Sequence, residues 1–152
     1  MSGRQRQLSM RFLAEPSDVN FGGKVHGGQV MKWIDQAGHA CATRWAAGHC
    51  LAVYASSIRF RRAVRLGDLV EVQARLAFTG QSNMNIAVEL RSGPMTGHRM
   101  LPTAECLMVY LAVDEQGEPV PVSQWTPETP GEMALASTAR AQFESTRPGP
   151  LE

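Results

Sequence analysis

A glycine-rich loop that leads into an apolar helix is the part of this 152-residue chain best suited to chemistry. The loop ends in His26-Gly27-Gly28, and Asp35 follows seven residues after the second glycine. Glycines at a helix start leave backbone N–H groups uncovered, and these groups carry partial positive charge from the helix dipole. A carbonyl oxygen or an anion can dock there. A carboxylate partly withdrawn from water on the same helix is a strengthened base. The spacing therefore predicts a reaction centre.

The helix that carries Asp35 is predicted from Gly27 to about Ala47, because this stretch lacks proline and Gly48 supplies a stop signal. Its apolar residues recur at helical spacing: Val30, Trp33, Ile34, Ala37 and Cys41. A second face consists mainly of small residues around Asp35, among them Gly38 and Ala42. We expect both faces to be covered. His39, one turn after Asp35, is predicted to be a buried structural residue.

Strands account for most of the remaining chain. Alternation of apolar and polar residues predicts them at 8–14, 51–60, 69–78, 84–90 and 98–113, the last broken around Pro102. Short turns separate the later strands, which is typical of an antiparallel sheet. The sequence therefore predicts an α+β domain in which one sheet wraps around one long helix.

Length and composition fit a single domain with a real core, since 43% of the residues are hydrophobic. We predict a flexible N-terminus at 1–7, a domain at 8–122, and a proline-broken tail at 123–152 that holds a possible short helix. A net charge of +1 argues against nucleic-acid binding. No stretch looks like a signal peptide or a membrane helix, so no membrane partner and a cytoplasmic location are expected.

Six segments together resemble the hotdog-fold acyl-CoA thioesterases, in the branch of the bacterial acyl-CoA hydrolases and the brain-type cytosolic enzyme. They occur in the family's order and at its separations: 16–20, 25–28, 31–35, 60–68, 79–82 and 104–114. The resemblance covers most of 8–122. It implies a hotdog domain that hydrolyses an acyl-CoA to a free fatty acid and coenzyme A, as part of lipid metabolism.

The resemblance also implies roles for individual residues. Asp35 matches the helix carboxylate that the family uses as general base or nucleophile. Asn20 matches a loop asparagine that positions water or the thioester. Gly27 and Gly28 match the turn at which the thioester carbonyl meets backbone N–H groups. Ser82 lies where the family often has a hydroxyl residue near the reacting centre.

Family members are dimers that complete each site across the interface, commonly assembled into hexamers as trimers of dimers. The resemblance therefore implies that Asn20 and Asp35 of one site come from different subunits. The partners expected are acyl-CoA and further copies of the chain. No cofactor is expected, since coenzyme A is part of the substrate, and no metal site is expected because no motif such as HExxH occurs.

Contacts to coenzyme A are expected from residues around the helix start and the strand ends. The candidates are His26, Phe60, Arg61, Arg62, Asn83, Pro102 and Thr103. The arginines allow two interpretations, a solvated strand edge or a binding site for coenzyme A phosphates. For His26 we favour a packing role over proton transfer.

Two other functions stay open on the sequence. One is a hotdog hydratase or dehydratase acting on acyl thioesters, although the histidine–acid separation typical of that class is missing. The other is an acyl-CoA-binding module without catalysis. A serine or cysteine nucleophile is disfavoured, because the chain has no GxSxG elbow and none of its three cysteines lies at a helix start beside a base.

Overall fold

The computed structural model describes residues 5–146 as five strands and two α-helices, with a 3₁₀ turn at Pro16–Asp18. In chain order the elements are β1 (Gln7–Leu13), α1 (Gly27–Ala46), β2 (Cys50–Phe60), β3 (Leu69–Thr79), β4 (Asn83–Gly93), β5 (Leu101–Ala112) and α2 (Pro130–Thr146). The predicted α+β architecture, with one long helix on an antiparallel sheet, is confirmed.

The five strands form one antiparallel sheet in the order β1-β3-β4-β5-β2. Alternate residues of each strand point to the same face, and the inner face is a continuous apolar surface. Its members include Met10, Phe12, Val72, Leu76, Ile86, Val88, Met108 and Tyr110. The edge strands are β1 and β2, and β2 exposes three large apolar residues: Leu51, Ile58 and Phe60.

Helix α1 lies across the inner face and contacts all five strands. Its buried side consists of the apolar residues predicted from helical spacing, together with Trp45, whose indole N–H donates to the carbonyl of Ser123. The helix ends where Ala47 adopts a left-handed conformation with φ 56°. This arrangement fixes which side of α1 meets the sheet, and so fixes where Asp35 lies.

Helix α2 packs on the opposite, outer face of the sheet. Ala136 and Ala139 are buried against Phe78, and Phe143 contacts the rings of Phe78 and Tyr54. The sequence predicted only a possible short helix in a proline-broken tail, because the apolar face of this stretch is thin. Small alanines suffice here because they let the helix approach the strands closely. The part of the predicted tail beyond residue 146 lies outside the described residues.

The N-terminal segment differs from the flexible stretch predicted at 1–7. Strand β1 already begins at Gln7, and the Arg6 guanidinium donates to the carbonyl of Leu76 and stacks on the Trp125 ring 4.4 Å away. Residues 1–4 lie outside the described part of the chain. None of the helices in residues 5–146 combines the length and apolarity needed to cross a membrane.

Pro102 does not interrupt the last strand as predicted. It is the second residue of β5 and pairs with Arg91, beside a register shift at Leu90 and Arg91. A proline has no N–H to donate to a neighbouring strand, so it is tolerated at a strand start next to an irregularity. The strand therefore begins three residues later than the predicted 98 and then runs unbroken to Ala112.

Candidate functional site

The loop before α1 is folded back on itself by Asn20. Its side-chain oxygen accepts hydrogen bonds from the backbone N–H groups of Gly22 at 2.9 Å and Lys24 at 3.3 Å. The backbone N–H of His26 donates to the carbonyl of Asp18 at 3.2 Å, which closes the loop at the helix start. The Asn20 side chain is exposed and keeps its NH₂ group available, since no hydrogen bond from it occurs within residues 5–146. These hydrogen bonds therefore hold Asn20 in the loop that leads directly into the start of α1.

The first turn of α1 presents bare backbone donors. His26 is the residue before the helix and makes no side-chain capping bond, while its carbonyl accepts from Gln29 and Val30. The N–H groups of Gly27 and Gly28 have no partner among the described residues, and both glycines are exposed. A Cβ added to Gly28 would meet nothing within 4 Å. Space for a ligand oxygen therefore exists in front of these two donors.

Phe60 is brought to the helix start. It is 54% exposed at the end of β2, and its ring tip lies 4.0 Å from the position of a Cβ added to Gly27. An exposed aromatic ring beside uncovered backbone donors offers an apolar wall next to a polar docking point. The His26 side chain is also exposed there. It is therefore neither part of the buried core nor shielded from water.

Asp35 is exposed on α1, yet it is fixed from below by a buried side chain. The Tyr110 hydroxyl of β5 donates to a carboxylate oxygen of Asp35 at 2.8 Å and approaches the Asp35 carbonyl at 3.1 Å. Tyr110 is 0% exposed. Burial raises the pKa of the Tyr110 hydroxyl, and the hydrogen bond to Asp35 raises it further. The hydroxyl therefore keeps its proton and acts as a donor to the carboxylate.

Gly38 makes this contact possible. It is buried one turn after Asp35, and a Cβ added there would lie 2.5 Å from the Tyr110 oxygen and 3.1 Å from the ring. Only a residue without a side chain leaves room for the tyrosine at this point. The small-residue face predicted from the sequence is therefore occupied by a ring of the chain itself at Gly38.

Asp35 and the uncovered donors of one chain lie apart along α1. Seven residues separate Asp35 from Gly28, which at about 1.5 Å per residue places them about 10 Å apart. The N–H groups also point out of the helix end, away from Asp35. Across the described residues, no hydrogen bond joins Asn20 to Asp35. The structure brings Asn20, Gly27, Gly28 and Phe60 to one end of α1, and leaves Asp35 in its middle.

Ser82 and Asn83 lie at the turn between β3 and β4. The Ser82 carbonyl accepts from the N–H of Ala112, which places it two residues along β5 from Tyr110. Asn83 pairs with Leu111, one position from the Met84–Tyr110 pair, so its side chain points to the outer face. Ser82 lies opposite Ala112, two positions from Tyr110, and is therefore on the same face of the sheet as Tyr110.

The remaining residues predicted to contact coenzyme A cluster where β2 leaves the sheet. The backbone N–H groups of Arg61 and Arg62 both donate to the carbonyl of Thr103, at 2.7 and 3.4 Å. The Thr103 side chain is buried, with its hydroxyl bonded to Ser92 at 2.6 Å and to the carbonyl of Leu101. It has no surface for a ligand, in contrast to the expectation from sequence. Pro102 is exposed beside it.

The two arginines differ in their partners. The Arg61 guanidinium forms an ion pair of 2.7 Å with Glu105, and both side chains are partly exposed. Arg62 is exposed, and no ion pair involves it within the part of the chain that the structure describes. Arg62 is therefore the better placed of the two for an incoming phosphate, because Arg61 would have to share its charge with Glu105.

Within residues 5–146, the remaining histidine and cysteine side chains do not group into a second reactive centre. His39 is exposed rather than buried as predicted, and its Nε2 lies 3.0 Å from the carbonyl of Cys50. All three thiols are buried, and burial raises the pKa of Cys41 and of Cys106 to about 11. In residues 5–146, no three His, Cys, Asp or Glu side chains are grouped so as to hold a metal ion.

The sequence of the chain matches a known protein family. Residues 22–97, half of the chain, match the model of the Thioesterase superfamily. The chain belongs to this superfamily. It is 35% identical over 123 residues to the acyl-CoA thioester hydrolase YciA of Salmonella typhimurium, a match that covers 78% of this chain and 91% of that protein. The resemblance to acyl-CoA thioesterases found in the sequence is thereby confirmed.

A second relative of this chain is longer. The cytosolic acyl coenzyme A thioester hydrolase of Rattus norvegicus is 30% identical over 139 residues, which cover 90% of this chain but 36% of that protein. The chain thus spans about a third of the length of these cytosolic relatives. A longer protein can carry activities and partners that lie outside the matched third.

Solved structures confirm the hotdog architecture. A hexameric acyl-CoA thioesterase aligns with a TM-score of 0.87 at 29% identity, over 92% of this chain and 90% of that one. A hexameric thioesterase from Yersinia pestis aligns with a TM-score of 0.71 at 30% identity, over 76% of this chain and 93% of that one. The fold that holds Asp35 above the sheet is therefore shared with oligomeric thioesterases.

Sequence reasoning missed Tyr110 as a member of the site. The signal was available, because Tyr110 alternates with apolar Met108 and Ala112, which predicts an inward ring whose hydroxyl needs a partner. Gly38 on the small face of α1 offered the matching space. What the pattern did not supply was the register between α1 and β5 that brings the two together.

The contact between Gly38 and Tyr110 predicts that replacing Gly38 by alanine lowers the stability of the protein, whereas the same change within a helix usually raises it. We expect Gly38→Ala to lower the melting temperature by several degrees, because overpacking costs about 1–3 kcal/mol. Gly131→Ala is the matched control in α2, where an added Cβ meets nothing within 4 Å. There alanine should be neutral or stabilising. Thermal unfolding of both variants decides the matter, and equal effects would mean that α1 lies farther from β5 than described.

Raised thiol pKa values predict slow reaction of the folded protein with Ellman's reagent. At pH 8, a thiol of pKa about 11 is thiolate in about one molecule in a thousand, and burial also blocks access. We expect Cys41 and Cys106 to react only after unfolding in guanidinium, which serves as the control. Rapid labelling of either residue in the folded protein would contradict the burial described.

Proposed function

We propose that the chain hydrolyses acyl-CoA thioesters to a carboxylic acid and coenzyme A. The observation that carries this proposal is the Asp35 carboxylate, exposed on α1 but held at one oxygen by the buried Tyr110 hydroxyl. One oxygen is thus fixed and the other is available to water. The relatives are acyl-CoA thioester hydrolases, one from Salmonella typhimurium and one cytosolic enzyme from Rattus norvegicus, and they support the same chemistry.

In the proposed reaction, Asp35 acts as the general base. It takes a proton from a water molecule whose oxygen forms a bond to the thioester carbon. The negative charge that develops on the carbonyl oxygen is met by the N–H groups of Gly27 and Gly28, a stabilisation typically worth roughly 3–4 kcal/mol per donor. The C–S bond then breaks, and the proton held by Asp35 passes to the leaving sulfur. Asn20 orients the water through its available NH₂ group.

The proposed site is shared between two chains. The bare donors point out of the end of α1, about 10 Å from Asp35 and away from it. A carbonyl bound to Gly28 therefore lies outside the reach of Asp35 of the same chain. A second chain related by a twofold axis solves this problem, because it brings its own Asp35 to the donors of the first. Exposed apolar residues on the edge strand β2, such as Ile58 and Phe60, provide surface for that contact.

Further features follow from the same proposal. We propose a dimer as the catalytic unit and a trimer of dimers as the assembly, supported by the hexameric thioesterases of the same fold. Arg62, with Arg61 and Pro102 nearby, would meet the phosphates of coenzyme A, and Phe60 and His26 would line the entry to the donors. The reaction uses water alone and needs no cofactor. A cytoplasmic location is supported by the cytosolic relatives.

Replacing Asp35 tests the reaction directly. We expect wild-type protein to release free thiol from saturated acyl-CoAs, and Asp35→Asn to lose at least 100-fold in kcat, because an amide is not a base. Asp114→Asn is the matched control, because the Asp114 carboxylate lies in the turn after β5 and accepts hydrogen bonds from the backbone N–H groups of Gln116 and Glu118. A hydratase would leave the saturated thioester intact, and a binding module would bind it without turnover. Either result, or full activity of Asp35→Asn, would refute the proposal.

Complementation between two damaged chains tests the shared site. Asn20→Asp keeps the oxygen that folds the loop but removes the NH₂ donor, and we expect it to be impaired as Asp35→Asn is. When the two variants are co-expressed equally, random pairing gives heterodimers with one intact site, so activity should recover to about a quarter of wild type.

The control for this mixture is the double variant with both changes in one chain, co-expressed with an Asp35→Asn chain. Its sites lack Asp35 in every combination, so activity should stay at the background level. If each site lay within a single chain, the first mixture would also show only background activity, and the shared site would be refuted.

A further inference from the structure

We propose that Tyr110 is a positioning residue for the reaction: its hydroxyl holds Asp35 in the orientation in which the second carboxylate oxygen faces the attacking water. This inference rests on the proposed hydrolysis and adds a residue to it. The observation behind it is a hydrogen bond of 2.8 Å between a side chain that is 0% exposed and a carboxylate that is exposed.

The tyrosine is a rigid support for the carboxylate. Tyr110 lies near the end of β5, where this strand is still paired on both edges: Tyr110 is opposite Met84 of β4 and Ala52 of β2. Gly38 lies against the ring from the helix side, where an added Cβ would be within 3.2 Å. A ring confined between a sheet and a helix backbone has little freedom to move. The hydroxyl therefore defines one place for the carboxylate oxygen it bonds.

The hydroxyl also selects a conformer of Asp35. A tyrosine has one proton to donate, and the carboxylate oxygen at 2.8 Å and the Asp35 carbonyl at 3.1 Å lie on the same residue. Without this donor, the exposed side chain would rotate among its staggered conformers. Tyr110 lies under the helix and does not reach the outer side of Asp35. It thus acts on the reaction through Asp35 alone.

Two tyrosines in the chain make a matched comparison possible. Tyr110→Phe removes the hydroxyl beneath Asp35, whereas Tyr54→Phe removes one from β2, where the ring contacts Phe143 of α2 on the outer face. Both changes are chemically identical. We expect Tyr110→Phe to lower kcat about tenfold with KM within about twofold, because hydrogen bonds to charged groups are worth about a factor of ten or more. Tyr54→Phe should retain kcat within about twofold.

The assay reports kcat per folded chain, measured at a temperature at which both variants are folded by circular dichroism. A merely structural tyrosine would change the unfolding temperature but leave kcat intact. An unchanged kcat in Tyr110→Phe, or a loss confined to KM, would therefore refute the positioning role. Loss of hydrolysis in wild-type protein would instead refute the proposed function, so the two failures are distinguishable.

A spectroscopic test avoids any dependence on the folding of Tyr110→Phe. Growth on 3-fluorotyrosine in the Tyr54→Phe background labels Tyr110 alone, since the chain has two tyrosines. We expect the fluorine resonance to shift when Asp35→Asn is added, because the charged acceptor of the hydroxyl is lost. Asp114→Asn is the matched change that should leave it in place. If Asp35→Asn left the fluorine chemical shift unchanged, the Tyr110 hydroxyl would not be bonded to Asp35, and the proposal would be refuted.

Discussion

The close approach of α1 to β5 is the constraint on which the candidate site depends. Gly38 has no side chain, so the Tyr110 ring fits beneath the helix and its hydroxyl reaches Asp35. A buried hydroxyl without a partner costs free energy. Asp35 supplies that partner while remaining exposed on its other side. Packing and chemistry therefore meet in one contact, and neither the helix position nor the acid orientation can change without the other.

The two faces of the sheet support this contact in different ways. On the inner face, α1 is anchored by large side chains such as Trp33 and Ile34, which fix its height and rotation above the strands. On the outer face, α2 packs on β3 and β2, where Ala136 and Ala139 are buried against Phe78. Strand β5, which carries Tyr110, is hydrogen-bonded along both edges, to β4 and to β2, so it has little room to shift. The Tyr110 ring is therefore held in one position, and its hydrogen bond holds the Asp35 carboxylate in one position as well.

Much of the fold could be predicted from sequence, because it follows local rules. Helical spacing gave the buried side of α1, and alternation gave the strands within a few residues. Pro102 misled the prediction because a strand start beside a register shift tolerates a residue that a strand interior does not. The thin apolar face of α2 misled it too, since close packing of Ala136 and Ala139 depends on the surface they meet. Within the site, Asp35 and the glycine turn could be predicted, because their residue types and their spacing are local features of the sequence. Their link to Tyr110 was not, because it depends on the register between elements 75 residues apart.

The same register explains why one chain is an incomplete catalyst under the proposed function. Stiff anchoring by Tyr110 holds Asp35 in the middle of α1, so the acid cannot move towards the donors at the helix start. A site within one chain would need a flexible acid or a bent helix, and α1 is a continuous helix from Gly27 to Ala46. Supplying the acid from a second chain keeps both halves rigid and places the reacting thioester between them. Rigid halves favour catalysis, because preorganised groups need not rearrange as charge develops. The immobility of Asp35 within its own chain is thus an argument that assembly creates the site.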